Sequence, residues 1–228
     1  MGPALTSAGI RAPLANLAFL ALACSRPQQP KPAPTEAAPT YAQAVDNARR
    51  ADAAQARRLL PKLVATLAQP DRDGWLHRAA VDALGRARDP RAGPALGRIV
   101  EAPPYSVEFF LRRLAARALT GAGGPEAAGL LVRNLTRRED GLVLEEDCRA
   151  ALVALGGVAR PALEQALAAG DPDLIAAAAR TLAALGDRAA LPALRVALAS
   201  PRAAGPARRA IDEAIFALSA SPEASKGR

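Results

Sequence analysis

The sequence predicts an all-α chain, an α/α solenoid of about five stacked helical hairpins, and three observations predict it. The first is a phrase that returns five times. It reads Pro61-Lys62-Leu63 leading to Leu67, then Pro94-Ala95-Leu96 leading to Val100, Gly129-Leu130-Leu131 leading to Leu135, Pro161-Ala162-Leu163 leading to Leu167, and Pro192-Ala193-Leu194 leading to Leu198. Its starts lie 33, 35, 32 and 31 residues apart, the period of one supersecondary unit copied along the chain. The second is an interleaved phrase, Ala83-Leu84-Gly85, Ala118-Leu119-Thr120-Gly121, Ala154-Leu155-Gly156, Ala184-Leu185-Gly186 and Ala217-Leu218-Ser219. Two helix-sized pieces therefore fill each period. The third is composition: 50% of the residues are apolar but only 3% aromatic, so the core is built from Ala, Leu and Val. Ala and Leu are the strongest helix formers, and no alternating Val, Ile, Thr and Tyr run argues for strands.

Taken in order, residues 41–58 carry Ala42, Val45, Ala48, Ala51 and Ala54 among arginines and lack large apolar side chains. They read as a helical N-terminal cap on the stack. The helices that end in Ala-Leu-Gly follow. Counting back three from each Leu gives Val81, Ala116, Leu152, Leu182 and Ile215; counting back four gives Ala80, Ala115, Ala151, Thr181 and Ala214. Those offsets make one apolar helix stripe, with small residues that allow close helix approach. Gly85, Gly121, Gly156 and Gly186 stand where a left-handed C-terminal cap needs no Cβ. Asp89-Pro90 and Asp171-Pro172 place an N-cap acceptor before a first-turn proline, with Gly124-Pro125 and Ser200-Pro201 as similar starts. The recurrent prolines of the first phrase mark the first turn, or a mild bend, of the second helix of each pair. The middle copy departs, with Gly129 for Pro and a polar loop, Arg137-Arg138-Glu139-Asp140-Gly141. The helix carrying Arg208-Arg209 closes the stack near Ser219, and residues 221–228 form a polar tail.

The repeats resemble HEAT repeats, in particular the short Ala- and Leu-rich HEAT-like units named after phycobilisome lyases. The clearest copy runs from Asp171-Pro172-Asp173-Leu174 through Ala184-Leu185-Gly186-Asp187 to Leu191-Pro192-Ala193-Leu194. The resemblance covers about residues 56–219 of a solenoid that spans 41–220, and it implies a surface for binding protein partners. It implies no chemistry.

Ahead of the solenoid, Ala12 to Ala23 is mostly apolar behind Arg11, too short to span a bilayer and of the length of a secretory signal core. It ends in Leu20-Ala21-Leu22-Ala23-Cys24, which resembles the lipobox of bacterial lipoproteins, although Ala21 stands where that family usually has Leu. The resemblance implies a signal peptide over 1–23, lipidation of Cys24, and, with Ser25 rather than Asp following, the outer membrane on its periplasmic face. Residues 24–40 then hold five prolines and no Leu, Ile, Val or aromatic residue, an extended tether with a reach of roughly 50 Å at about 3.1 Å per residue. With Cys24 lipidated, Cys148 is the one other thiol, which excludes an internal disulfide; its place near Leu155 predicts a buried, inert side chain.

The formal net charge is +8 and the basic residues are nearly all Arg. Such a balance suits nucleic acid, anionic lipid or an acidic partner. It equally fits arginines on solvated helix faces, interleaved as they are with Asp and Glu. On the second helices the basic residues are Lys62, Arg98, Arg133 and Arg195, with Arg98 and Arg133 at one repeat position. HEAT solenoids line their concave surface with these helices, so Arg98, Arg133 and Arg195 are the candidate partner-binding residues.

Catalytic motifs are missing. There is one His, no His-Glu pair, no Cys-x-x-Cys, no P-loop and no G-x-S-x-G. Glu145-Glu146-Asp147 reads as favourable charge at a helix start rather than a cation site. The expectation is a non-enzymatic, membrane-tethered adaptor for a protein partner, without cofactor, metal, nucleic acid or small-molecule substrate. Two alternatives remain open: a cytoplasmic nucleic-acid-binding HEAT protein, for which Trp75 and Tyr105 are few aromatics, and a lyase-like chaperone of a chromophore protein.

Overall fold

The computed structural model describes residues 41–69 and 74–220, all within one compact unit, Pro39–Arg228. The segments expected to be a signal peptide (1–23), a tether with Cys24 (24–40) and a polar tail (221–228) lie outside the described residues.

Eleven α-helices follow one another among the described residues: α1 Tyr41–Arg50, α2 Ala53–Thr66, α3 Trp75–Ala87, α4 Gly93–Val100, α5 Phe109–Ala122, α6 Gly124–Arg133, α7 Glu145–Leu155, α8 Arg160–Leu167, α9 Pro172–Leu185, α10 Leu191–Ala199 and α11 Pro206–Ala220. The described residues are thus all-α apart from one small hairpin. The odd-numbered helices from α1 to α11 pack as one layer, α1 on α3, α3 on α5, α5 on α7, α7 on α9 and α9 on α11. The even-numbered helices α4 to α10 form the second layer. Each hairpin buries a seam against its neighbour that it could not bury alone. Leu84, Leu119, Leu152 and Leu182 of the first layer and Leu96, Leu131, Leu163 and Leu194 of the second are fully buried.

The N-terminal segment is two helices rather than one cap. The chain breaks at Ala51-Asp52, where Asp52 accepts the Gln55 N–H at 2.7 Å and starts α2. Val45, Ala48 and Ala51 are buried as the spacing predicts, but Ala56 takes the inward place in α2 while Ala54 is exposed.

The prolines of the first phrase stand at the second position of α4, α8 and α10, where a missing N–H costs nothing. Pro61 differs: it lies inside α2. In α6 the first-turn proline is Pro125, one turn ahead of Gly129. Leu131 nevertheless keeps the packing register of Leu96 and Leu163. Ser200-Pro201 is a turn after α10, and the helix start lies at Gly205-Pro206 instead.

The Ala-Leu-Gly phrase holds two different positions. Gly156 and Gly186, both at positive φ (66° and 70°), end α7 and α9, and Gly186 does so as a left-handed cap. Gly85 and Gly121 do not cap; they lie inside α3 and α5. A Cβ on Gly121 would stand 1.9 Å from the Gly85 carbonyl oxygen, and one on Gly85 would stand 3.0 Å from the Ala118 Cβ. The two glycines are where α3 and α5 cross. The shift has a visible cause: α3 and α5 run on past the glycine through Ala87 and Ala122, so their ends fall at Arg88 and Gly123.

The polar loop after α6 folds into a two-stranded hairpin, Arg138–Glu139 against Leu142–Val143, with Arg138 opposite Val143 and Glu139 opposite Leu142. Asp140 and Gly141, both at positive φ (50° and 78°), make its two-residue turn, the conformation an Asp-Gly pair favours.

Candidate functional site

The arginines do more than solvate helix faces. Many reach one repeat along the chain and bind its neighbour. Arg57 Nε donates to the Ala87 carbonyl at 2.8 Å, and Arg86 donates to the carbonyls of Ala51 and Ala48 at 3.1 and 2.9 Å. Arg113 and Arg117 of α5 both donate to the Asp147 carboxylate at 2.5 Å, and Asp147 is almost fully buried. Arg180 of α9 reaches Glu145 at 2.7 Å. The acidic triplet that opens α7 therefore has two uses. It meets the positive end of that helix, and it receives arginines from the helices on both sides.

Arg112 is the polar group that sequence patterning misses. It is fully buried on α5. Its Nη1 donates to the carbonyls of Ile99, Val100 and Ala102 at 3.1, 2.8 and 2.8 Å, and its Nη2 to Glu139 at 3.0 Å. Burial, and Arg137 nearby, push the Arg112 pKa down, while Glu139 opposes the shift. The guanidinium neutralises carbonyls at the negative end of α4 and fastens the hairpin to it.

The three predicted partner-binding arginines are separate in character. Arg98 is exposed on α4 and Arg195 is exposed on α10. Arg133 on α6 is bound to Glu101 at the end of α4, through Nε at 3.0 Å and Nη2 at 2.8 Å. Between α6 and α10, helix α8 carries the neutral Gln165 at the position of Arg98 and Arg133, and α10 carries Val196 there, 75% exposed. At this repeat position the arginines of α4 and α6 are thus not continued on α8 and α10.

The concentrated charge lies instead on the first layer. A cleft of about 990 Å³ opens beside the α3–α5 crossing. Gly85, Ala118 and Gly121 floor it, and Arg57, Arg86, Arg88 and Arg117 line it, with Asp82 as the acidic lining residue. These floor residues have no side chain beyond Cβ. Arg86 is engaged with Asp82 and with the carbonyls of the first hairpin. Arg88, in a left-handed conformation at the end of α3, is exposed. The sequence did hold a trace of this cluster in Gly85-Arg86-Ala87-Arg88. The fold was needed to set Arg57 and Arg117 beside it.

A second exposed feature lies at the helix starts. Arg78 is stacked between Trp75 and Phe110, 5.1 Å from each ring centroid, and is paired with Glu108 at 2.5 Å. Cys148, in contrast, is wholly buried on α7, and burial, together with the charge of Asp147, pushes its thiol up to about 12. Among the described residues no cluster of His, Cys, Asp and Glu could hold a metal ion, and no helix is long and apolar enough to cross a membrane.

Residues 76–101 and 174–200 match the family model of the PBS lyase HEAT-like repeat. They correspond to α3–α4 and α9–α10, two hairpins of the stack. No curated protein matches the chain. Among solved structures, the complex of CpcE and CpcF of phycocyanin lyase from Nostoc sp. PCC7120 is similar at 22% identity and a TM-score of 0.38, over 82% of this chain and 98% of that one. That complex is one of a lyase, and the expectation that this chain is not an enzyme is withdrawn. The missing motifs exclude only the chemistries those motifs carry, and they say nothing of a reaction assembled on a repeat surface. With its hairpins stacked in two layers, the chain is an all-α solenoid that carries HEAT-like repeats at two of those hairpins.

Proposed function

We propose that the chain is a membrane-tethered repeat scaffold that binds protein partners at the bacterial cell envelope, held by a lipidated Cys24 on the periplasmic face of the outer membrane. The observation that carries the binding reading is the charged cleft on the first layer, a concave surface left over once every hairpin has buried its seam. The tether reading is supported by Leu20-Ala21-Leu22-Ala23-Cys24 and the five prolines that follow. Two acyl signals on one residue anchor a chain stably where one is marginal.

Metabolic labelling with a palmitate analogue tests the tether. The wild-type chain incorporates label and fractionates with membranes, and Cys24→Ala abolishes both. A wild-type chain that stays unlabelled in the cytosol ends the tether reading. That result favours a second reading, which the matched repeat type supports: a lyase-like chaperone of a chromophore protein. Co-purification of a chromophore-bearing partner with the full chain checks it.

A further inference from the structure

We infer that the cleft over the α3–α5 crossing is a docking groove for an extended acidic segment of a partner protein. The inference rests on the protein-binding reading above and names its surface and the chemistry of its partner.

Charge complementarity is the first argument. Four arginines line the cleft against one acidic residue, Asp82, which is already paired with Arg86. Not all of that charge is spent within the fold. Arg57 uses Nε on the Ala87 carbonyl, and its two terminal nitrogens have no hydrogen-bond partner among the described residues. Arg117 uses Nε on Asp147 and remains 61% exposed. Arg88 has no hydrogen bond or ion pair among the described residues and stands exposed at the rim. Three planar forks thus face one depression, and a guanidinium fork matches a carboxylate with two parallel hydrogen bonds. Their geometry is already constrained, because Arg57 and Arg117 are each anchored through Nε, so little rotamer freedom is lost on binding.

The shape of the floor is the second argument. Gly85, Ala118 and Gly121 line the cleft and present no side chain beyond Cβ to an extended peptide. A volume of about 990 Å³ holds several residues of extended chain. Single-stranded nucleic acid fits less well, because no aromatic side chain lines the cleft to stack a base. Trp75 and Phe110 lie outside its lining.

The test uses the purified chain carrying Cys24→Ala and a fluorescein-labelled octaglutamate peptide, read by anisotropy at low and at physiological salt. The peptide binds, and raising the salt weakens it. Arg88→Asn, which keeps a residue tolerant of the left-handed conformation, weakens binding about fivefold, and Ala154→Glu, at an exposed position of the cleft wall, weakens it about tenfold. Arg195→Glu on the second layer leaves it unchanged. Circular dichroism and the unfolding midpoint confirm that all three variants fold.

Absence of octaglutamate binding overturns the groove, and so does a loss in Arg195→Glu equal to that in Ala154→Glu. Tighter binding of an oligothymidylate than of octaglutamate overturns it in favour of nucleic acid. A chain that co-purifies with a protein partner while octaglutamate does not bind removes the groove and leaves the scaffold reading standing.

Discussion

The Cys148 thiol is wholly buried on α7 beside Asp147, and both desolvation and the neighbouring charge hold its proton. Its pKa rises from 9.0 to about 12. The folded state therefore binds that proton more tightly than the unfolded chain. Its contribution to stability is complete below about pH 9 and is lost as pH rises toward 12. In a chain carrying Cys24→Ala, Cys148 stays unreactive to a thiol reagent at neutral pH until denaturant is added. Cys148→Ala loses less of its stability between pH 9 and pH 11 than the parent does, measured as unfolding midpoints. At the same scale Asp89 moves the other way. Its side chain accepts the Arg91 backbone N–H and guanidinium at about 3 Å, which holds its carboxyl down at about 2, so this cap survives mild acid. The buried thiol was legible from the seven-residue spacing to Leu155. The pairing of Asp147 with Arg113 and Arg117 was not, because those partners come from the preceding repeat.

Two contacts between elements set how the helices meet. The crossing of α3 and α5 depends on Gly85 and Gly121 having no Cβ. Gly121→Ala forces the helices apart and costs about 3 kcal/mol, the range of overpacking in a rigid core. Gly186→Ala meets no neighbouring atom and carries only the strain of a left-handed residue, about 1 kcal/mol. Chemical denaturation of the two variants separates the roles that one sequence phrase conceals. The other contact is Arg112 against the end of α4. Arg112→Met leaves Glu139 buried without this partner and costs about 3 kcal/mol. Arg112→Lys restores less than half of it, because an ammonium cannot span the carbonyls of Ile99 and Ala102 together with Glu139. Nothing in the periodic pattern marks Arg112, since its position reads as one more polar residue of an amphipathic helix.

Across the whole unit, each hairpin touches mainly the hairpins before and after it, so stability is a sum of local and nearest-neighbour terms. Leu84→Ala on α3 and Leu182→Ala on α9 each empty a fully buried position and cost about 2–5 kcal/mol. Separated by α5 and α7, the two losses add to within about 0.5 kcal/mol in the double variant. A marked departure from the sum would mean coupling beyond nearest neighbours. The polar staples share this spacing. Arg180 reaches Glu145, 35 residues back, and Arg188 reaches the Leu218 carbonyl, 30 residues ahead. The arginine excess that composition left open between nucleic-acid binding and solvated faces is in large part inter-repeat fastening.

By itself the sequence determined that helices form, that they come in pairs, and that Leu and Ala face a shared seam. These follow from local propensity and from a period that each repeat carries within its own length. Only the tertiary structure decided which glycines end a helix and which let two helices cross. It also decided that Arg57 and Arg117 join Arg86 and Arg88 around one cleft that Arg98, Arg133 and Arg195 do not line. The physical reason is that a close approach or a charge cluster is a relation between repeats, set by the crossing of α3 and α5. No single repeat contains both partners.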